Sequence, residues 1–184
     1  PTDERLLPFL SRLTARLSGD ADVLFSEFGV PTQMGPGDAL QASRPGPSLV
    51  SEIEAAAYID RALRSLHRCG STGAMLWCHS DYSRDLFGEP PLDLAIHERS
   101  FGQWRADGSP KPSIDVVRDF VGDVATLPPV QPLAHSTWFD IDVEQYYLAP
   151  ETELPRLYQR YCLAEARQRS DPGNPSDLPV TDAT

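Results

Sequence analysis

The chain has 184 residues, 40% of them hydrophobic and 23% charged, which is the composition of a globular protein long enough to form one core. A formal net charge of -11 argues against nucleic acid or an anionic membrane as a partner, and no apolar run reaches the roughly 20 residues that span a membrane. The cysteines at positions 69, 78 and 162 lack the spacing of a metal site. We expect free thiols there, with a disulfide between the first two as the alternative.

The N-terminal region is predicted to contain a helix and then a strand. Apolar side chains recur at helical spacing up to Leu17, and Gly19 favours termination there. The next apolar run, residues 21–29, ends in the ionisable side chain of Glu27. Alternation places Glu27 on the same face as Phe25, and because both faces are largely apolar we expect a strand covered on both sides, as in a parallel sheet. A carboxylate is costly to bury in such surroundings, which makes Glu27 a candidate functional residue.

A long stretch rich in proline, glycine and serine, residues 30–49, separates this strand from the second helix. Ser51 and Glu54 form a capping-box pattern, which predicts a helix from there to about Cys69, where Gly70 ends it. The side chains expected to lie against a sheet are Ile53, Ala56, Ala57, Leu63 and Leu66.

The second predicted strand covers residues 72–80 and carries Met75, Trp77 and His79 on one face. A second long loop, residues 81–111, leads to a helix predicted over about residues 112–125. This alternation of strands and helices predicts right-handed parallel βα units. Both long loops follow the C-terminal ends of strands, where open α/β sheets and (β/α)8 barrels place their sites.

The composition changes after residue 126. We divide the chain into a partial α/β domain at residues 1–126, a C-terminal extension at residues 127–169 and a disordered tail at residues 170–184. In the extension, residues 138–148 are predicted to be extended and residues 153–168 helical. An alternating acidic pattern could hold a cation, although solvated surface carboxylates are commoner; its members are Asp140, Asp142 and Glu144.

Three stretches together resemble the retaining glycoside hydrolases of the (β/α)8-barrel clan, most closely glycoside hydrolase family 5 with its cellulase-like and mannanase-like enzymes. They are Val23-Leu-Phe-Ser-Glu-Phe-Gly29, Gly73-Ala-Met-Leu-Trp-Cys-His-Ser-Asp-Tyr82 and His97-Glu-Arg-Ser-Phe-Gly-Gln-Trp-Arg-Ala-Asp-Gly-Ser-Pro-Lys-Pro112. In order and spacing they are similar to the seventh strand, the eighth strand and the run into the eighth helix, over about residues 5–125. The resemblance implies an α/β fold that is the C-terminal part of a TIM (β/α)8 barrel, about its last two βα units, plus the C-terminal extension.

By this resemblance Glu27 is the nucleophile that attacks the anomeric carbon and forms a covalent glycosyl-enzyme. The implied substrate is a β-linked glucan or mannan, an oligo- or polysaccharide cleaved with retention and with no cofactor or metal. The family's acid/base carboxyl ends the fourth strand, which this sequence does not contain. Glu98 does not match that position, and we expect it to be solvated or salt-bridged. Two βα units cannot close a barrel, so residues 1–184 alone are expected to have unpaired sheet edges and no hydrolase activity.

Trp77 corresponds to the family's aromatic residue beside the cleaved bond, whose ring stacks on a sugar; a packed core tryptophan is the alternative. Family members often join this tryptophan to the next residue, here Cys78, by a cis peptide bond. His79 and Asp81 could contact substrate hydroxyls, or serve the structure alone, Asp81 by fixing its own turn.

Two other interpretations stay open at this point. A non-catalytic relative that binds carbohydrate or acts as a scaffold would keep Trp77 without needing an acid/base. A metal-dependent barrel hydrolase would use His79 and Asp81 together with further ligands at other strand ends.

Overall fold

The computed structural model describes residues 3–35, 48–126 and 138–170. The chain divides into two compact units, Pro1–Leu133 and Ala134–Thr184. None of the described helices has the length and apolar character needed to cross a membrane. The elements of the first unit are α1 (Leu6–Leu17), β1 (Leu24–Phe28), α2 (Glu52–Arg68), β2 (Gly73–Leu76) and α3 (Ser113–Val124), with short 3-10 turns at Arg84–Leu86 and Ile96–Ser100. The second unit contains α4 (Val143–Leu148) and α5 (Pro150–Ser170).

The two strands form a parallel sheet, as the βα alternation predicts. The paired positions are Leu24 with Gly73, Phe25 with Ala74 and Phe28 with Leu76. Within the described residues this sheet has only two strands, so each strand has one edge without a neighbouring strand. The prediction of unpaired sheet edges is therefore confirmed for this part of the chain.

Helices cover one face of the sheet. The side chains that pack against the helical core are Phe25 and Phe28 from β1 and Ala74 and Leu76 from β2. On the other face Leu24 is 53% exposed and Met75 55% exposed. The prediction of strands covered on both sides is therefore wrong for the described chain. Apolar side chains indicate that a face can be buried, but they do not identify the segment that buries it.

The core is organised around α2, which contacts α1, α3 and β2. Its buried residues are Ala55, Ala56, Tyr58, Ile59, Ala62, Leu63 and Leu66. Ile53 and Ala57, which the sequence pattern placed against the sheet, are exposed. The buried stripe is centred on Ile59 and Ala62 instead, because α2 packs between two helices as well as on a strand.

Ser51 caps α2 as predicted. Its hydroxyl accepts a hydrogen bond from the Glu54 backbone N–H at 3.2 Å, and the Ser51 N–H donates to Glu54 Oε2 at 2.8 Å. The bond from the Ser51 hydroxyl and the bond from its backbone N–H lower the pKa of Glu54. The ionised Glu54 carboxylate is thus part of the N-terminal cap of α2.

We expect Ser51→Ala to lower the free energy of unfolding by about 1 kcal/mol at neutral pH. Because the folded-state pKa of Glu54 is lowered, its contribution is present above the ordinary glutamate pKa and is lost as the pH falls through the lowered value. Urea unfolding of wild type and variant at neutral and acidic pH measures the difference. A loss of equal size at both pH values would contradict the role of the carboxylate.

Among the described residues of the second unit, one predicted element is absent and another is present. Residues 143–148 are helical, so the prediction of an extended segment over residues 138–148 is wrong. The Asp142 carboxylate accepts a hydrogen bond from the Gln145 backbone N–H at 2.8 Å, and this capping box outweighs the strand preference of the aromatic side chains that follow. The predicted helix at residues 153–168 is confirmed within α5. Residues 127–137 and the predicted tail after Ser170 lie outside the described residues.

Candidate functional site

An irregularity in β1 sets the orientation of Glu27. Phe25 and Phe28 both pack against the helical core although they are three residues apart, and the strand register shifts between them. A regular strand returns to the same face every two residues, so the extra residue changes the phase of the strand. Ser26 and Glu27 are consequently both exposed. The prediction that Glu27 shares a face with Phe25 is wrong, and the carboxylate lies away from the helices.

Trp77 immediately follows β2 and is 41% exposed. Its backbone N–H donates to the Phe28 carbonyl at 2.8 Å, which continues the pairing of the two strands. Glu27 precedes Phe28, and Trp77 follows Leu76, the partner of Phe28. Parallel neighbouring strands lie about 4.8 Å apart, so the two candidate residues are presented at the same end of the sheet. The expected cis peptide bond between Trp77 and Cys78 is confirmed.

Gly29 permits the close approach of the two strand ends. A Cβ atom at this position would overlap with the Trp77 carbonyl oxygen. We expect Gly29→Ala to lower the free energy of unfolding by about 1–3 kcal/mol, because the backbone of one segment must move. Gly88→Ala is the matched control, since a Cβ there meets no atom within 4 Å. Equal urea midpoints for the two variants would contradict this prediction.

The segment after β2 is held by a return segment, residues 99–104. The Cys78 N–H donates to the Phe101 carbonyl at 3.1 Å, and the His79 carbonyl accepts a hydrogen bond from the Trp104 N–H at 3.0 Å. The His79 and Trp104 rings stack, with centroids 6.4 Å apart and planes inclined by 23°. His79 is exposed, so its side chain is accessible to a ligand although the ring stacks on Trp104.

Asp81 is buried, with 7% of its surface exposed. Its Oδ1 accepts hydrogen bonds from the Lys111 ammonium and the Gly102 backbone N–H, each at 2.8 Å. Burial raises the pKa of the Asp81 carboxyl, while the hydrogen bond and charge of Lys111 act in the opposite direction. Of the two roles that the sequence left open for Asp81, its burial therefore favours the structural one over contact with substrate hydroxyls. With its side chain only 2% exposed, Asp81 has little surface to offer a sugar.

Lys111 had no predicted role, since in the sequence it only ends the loop that leads to the helix predicted from about residue 112. Its side chain is 3% exposed, and its ammonium also donates to Thr32 Oγ1 at 2.8 Å and to the Ser100 carbonyl at 3.1 Å. The sequence signal that could have found it is weak, because its partners are 30 and 79 positions away in the chain.

No group of three or more His, Cys, Asp and Glu side chains that could hold a metal lies within residues 3–35, 48–126 and 138–170. The interpretation of His79 and Asp81 as metal ligands therefore gains no support from this part of the chain. In the second unit, the Asp140 carboxylate pairs with Arg156 at 2.9 Å and Arg160 at 3.4 Å. Charge pairing accounts for Asp140 without a cation.

The three cysteines are free thiols, as expected. The Cys78 thiol donates to the Ser80 carbonyl at 3.4 Å. Burial, and then the charge of Asp81, raises the pKa of this thiol. The protonated form is thus favoured, which argues against Cys78 as a nucleophile.

No family model and no curated protein matches the chain. Among solved structures, a GH5_18 glycoside hydrolase from Streptomyces cattleya in complex with GlcNAc is similar, with a TM-score of 0.52 and 21% identity over 71% of this chain and 27% of that chain. A variant of that protein in complex with Manb1-4GlcNAc has a TM-score of 0.52 and 21% identity over 70% of this chain and 27% of that chain. A GH5_18 from Bifidobacterium longum subsp. longum has a TM-score of 0.53 and 15% identity over 70% of this chain and 27% of that chain.

The chain thus spans about a quarter of the length of these proteins. At these identities the likeness concerns the fold. The mixed helices and two-stranded parallel sheet of this chain are similar to part of a GH5 glycoside hydrolase.

Proposed function

We propose that this chain is the C-terminal part of a retaining O-glycosidase and supplies its seventh and eighth βα units. The observation that carries the proposal is the placement of Glu27 and Trp77. Both are exposed at the C-terminal ends of adjacent parallel strands, on a sheet that the helices cover from the other side. Sites of α/β barrels lie at this end of the strands. The fold likeness to GH5_18 structures supports the same function.

In this proposal Glu27 is the nucleophile. The ionised carboxylate attacks the anomeric carbon, the bond to the leaving oxygen breaks, and a covalent glycosyl-enzyme forms. A second carboxyl group, about 5–5.5 Å away in retaining enzymes, protonates the leaving oxygen and then removes a proton from the water that releases the sugar. That group belongs to another part of the barrel. No described hydrogen bond or ion pair within residues 3–35, 48–126 and 138–170 occupies the Glu27 carboxylate.

Trp77 and His79 are proposed to bind the sugar. An indole ring offers an apolar face for the C–H face of a pyranose and an N–H for a hydroxyl. His79 lies two residues further along the chain; its ring stacks on Trp104 and the residue is exposed. Asp81 has no place in this set because its carboxylate is buried.

The proposed substrate is a β-linked glucan or mannan oligosaccharide. Two similar structures were determined with GlcNAc and with Manb1-4GlcNAc. The second of these ligands contains a β-linked mannose, which favours the mannoside among the β-linked substrates.

Mechanism-based labelling tests the nucleophile. The full-length protein is incubated with a 2-fluoro β-mannoside or β-glucoside that carries a good leaving group, digested and analysed by mass spectrometry. We expect the label on the peptide that contains Glu27, because the fluorine slows release of the covalent intermediate. The Glu98 peptide is the internal control, since that carboxylate lies 3.3 Å from the His97 ring nitrogen and has no proposed role. Label on any other carboxylate would refute the proposal.

A second candidate function is a non-catalytic carbohydrate-binding protein of the same fold. The exposed Trp77 favours it, since an aromatic platform alone is sufficient to bind a sugar. Isothermal titration with mannobiose, combined with a turnover assay, separates the two functions. Binding that Trp77→Ala abolishes, without turnover by the full-length wild type, would support this alternative and contradict the enzyme.

We expect a protein consisting of residues 1–184 alone to show no glycosidase activity. The acid/base group and most of the proposed barrel would be missing, and the apolar face that carries Leu24 and Met75 would be open to solvent. An assay with an aryl β-mannoside and an aryl β-glucoside measures this. Turnover by these residues alone would refute the proposed mechanism.

A further inference from the structure

The Lys111 ammonium has a complete set of acceptors in the protein interior. It donates to Asp81 Oδ1 at 2.8 Å, to Thr32 Oγ1 at 2.8 Å and to the Ser100 carbonyl at 3.1 Å. An ammonium has three N–H donors, and each of these acceptors can take one. Asp81 Oδ1 accepts a further hydrogen bond from the Gly102 N–H at 2.8 Å. Lys111 and Asp81, together with these hydrogen-bond partners, therefore form a charged junction with fixed geometry.

This junction joins three segments that meet beyond the strand ends. Thr32 belongs to the segment after β1, Asp81 to the segment after β2, and Ser100 and Gly102 to the return segment. The backbone reinforces the junction, since the Thr32 N–H also donates to the Ser100 carbonyl at 3.1 Å. Glycine at position 102 permits this close packing, because a Cβ atom there would overlap with the backbone of Asp81. Movement of one segment would therefore disturb the other two.

Hydrogen bonds, ring stacking and short stretches of chain connect the junction to the candidate site. The Asp81 N–H donates to the Trp104 carbonyl at 2.9 Å, and the Trp104 ring stacks on His79. Trp77 lies four residues before Asp81 and is held by the Phe28 carbonyl. On the other strand, Glu27 lies five residues before Thr32. The positions of the two strand ends thus depend on the same buried pair.

We propose that Lys111 and Asp81 are positioning residues that lock the segments after β1 and β2 together, so that Glu27, Trp77 and His79 keep fixed relative positions. Neither side chain contacts substrate, since they are 3% and 2% exposed. A site that acts on a sugar requires its groups to be held within a fraction of an ångström, and a charged junction just behind the strand ends provides that restraint. The catalytic consequence rests on the proposed function, whereas the structural consequence does not.

The first test is spectroscopic and independent of activity. The full-length protein is labelled with 5-fluorotryptophan, and the 19F signals of Trp77 and Trp104 are assigned by substitution with phenylalanine. We expect Asp81→Asn to shift or broaden both signals. Asp60→Asn is the matched control, because it also removes a carboxylate paired with a basic side chain, Arg64 at 2.7 Å, but on the surface of α2. Unchanged Trp77 and Trp104 signals in Asp81→Asn would overturn the proposal.

Thr32→Val is the second variant, needed if Asp81→Asn does not fold. It removes one acceptor of the ammonium and leaves both charges in place. We expect the same two signals to shift by a smaller amount. Unchanged signals in this variant would also overturn the proposal.

The second test is kinetic. If the wild type cleaves an aryl β-glycoside, Asp81→Asn should lower kcat by about 100-fold, the cost of a misplacement of about 1 Å. Asp60→Asn should leave kcat within about twofold, because surface ion pairs contribute little. An equal loss of kcat in both variants would show a general stability effect and overturn the positioning role. Absence of wild-type activity would refute the proposed function, while the 19F comparison would still decide the role of the pair.

Discussion

Replacing Glu27 with glutamine in the full-length protein is expected to lower kcat on a β-linked glycoside by on the order of 10⁴-fold. The amide is nearly isosteric with the carboxylate but cannot form the covalent glycosyl-enzyme. The fold should be unaffected, because Glu27 is exposed and its neighbour Phe28 makes the contacts with the helical core. Initial rates with an aryl glycoside, together with the urea midpoint, separate loss of chemistry from loss of structure.

Two companion variants sharpen this result. Glu98→Gln is the matched control and should leave kcat within about twofold, since surface carboxylates of this kind contribute little. Glu27→Gly with added azide should recover part of the rate, because the small anion can occupy the space of the missing carboxylate and attack the same face of the sugar. The product would be a glycosyl azide of inverted configuration. Full activity of Glu27→Gln would refute the assignment of the nucleophile.

The largest expected effect on stability is that of Lys111→Met. This change leaves the Asp81 carboxylate buried with no counter-charge, which costs about 3–5 kcal/mol in comparable sites. The Asp81–Lys111 pair also joins segments that are far apart in sequence, so its loss acts on several contacts at once. Urea unfolding followed by circular dichroism gives the free energy of unfolding.

A double-mutant cycle distinguishes the charge effect from a packing effect. Asp81→Leu with Lys111→Met removes both charges and replaces them with apolar side chains of similar size. We expect the double variant to be more stable than Lys111→Met alone, because no unpaired buried charge remains. Additive losses would contradict a direct interaction between the two side chains.

The local signal that starts α2 was interpreted correctly from the sequence. Ser51 and Glu54 predict the start of α2, and the structure confirms both hydrogen bonds of the capping box. Such motifs can be recognised in a sequence because the donor and the acceptor lie within one helical turn of each other. Where a local signal was overlooked, as at Asp142 and Gln145, the prediction of an extended segment was wrong for the same physical reason.

It was harder to predict which face of a helix or strand is buried and which segments pack against it. Ile53 was placed on the buried face of α2, yet it is 68% exposed because the helix packs on two other helices as well as on the sheet. Alternation along β1 was broken between Phe25 and Phe28 by an extra residue that no sequence pattern marks. The irregularity decides the side to which Glu27 points, and hence whether it is available to a ligand.

The sequence by itself determined the order of strands and helices in the first unit and the end of α2 that is capped. It also placed Glu27 near the end of the first strand, whereas the second strand ends at Leu76, before Trp77, and not at residue 80 as predicted. These features depend on residues within a few positions of one another. Only the tertiary structure decided that Glu27 faces away from the helices and that Asp81 is enclosed by Lys111 and Gly102. The reason is physical: the contacts of Asp81 join residues 21 and 30 positions apart, and their geometry exists only once the segments have packed together.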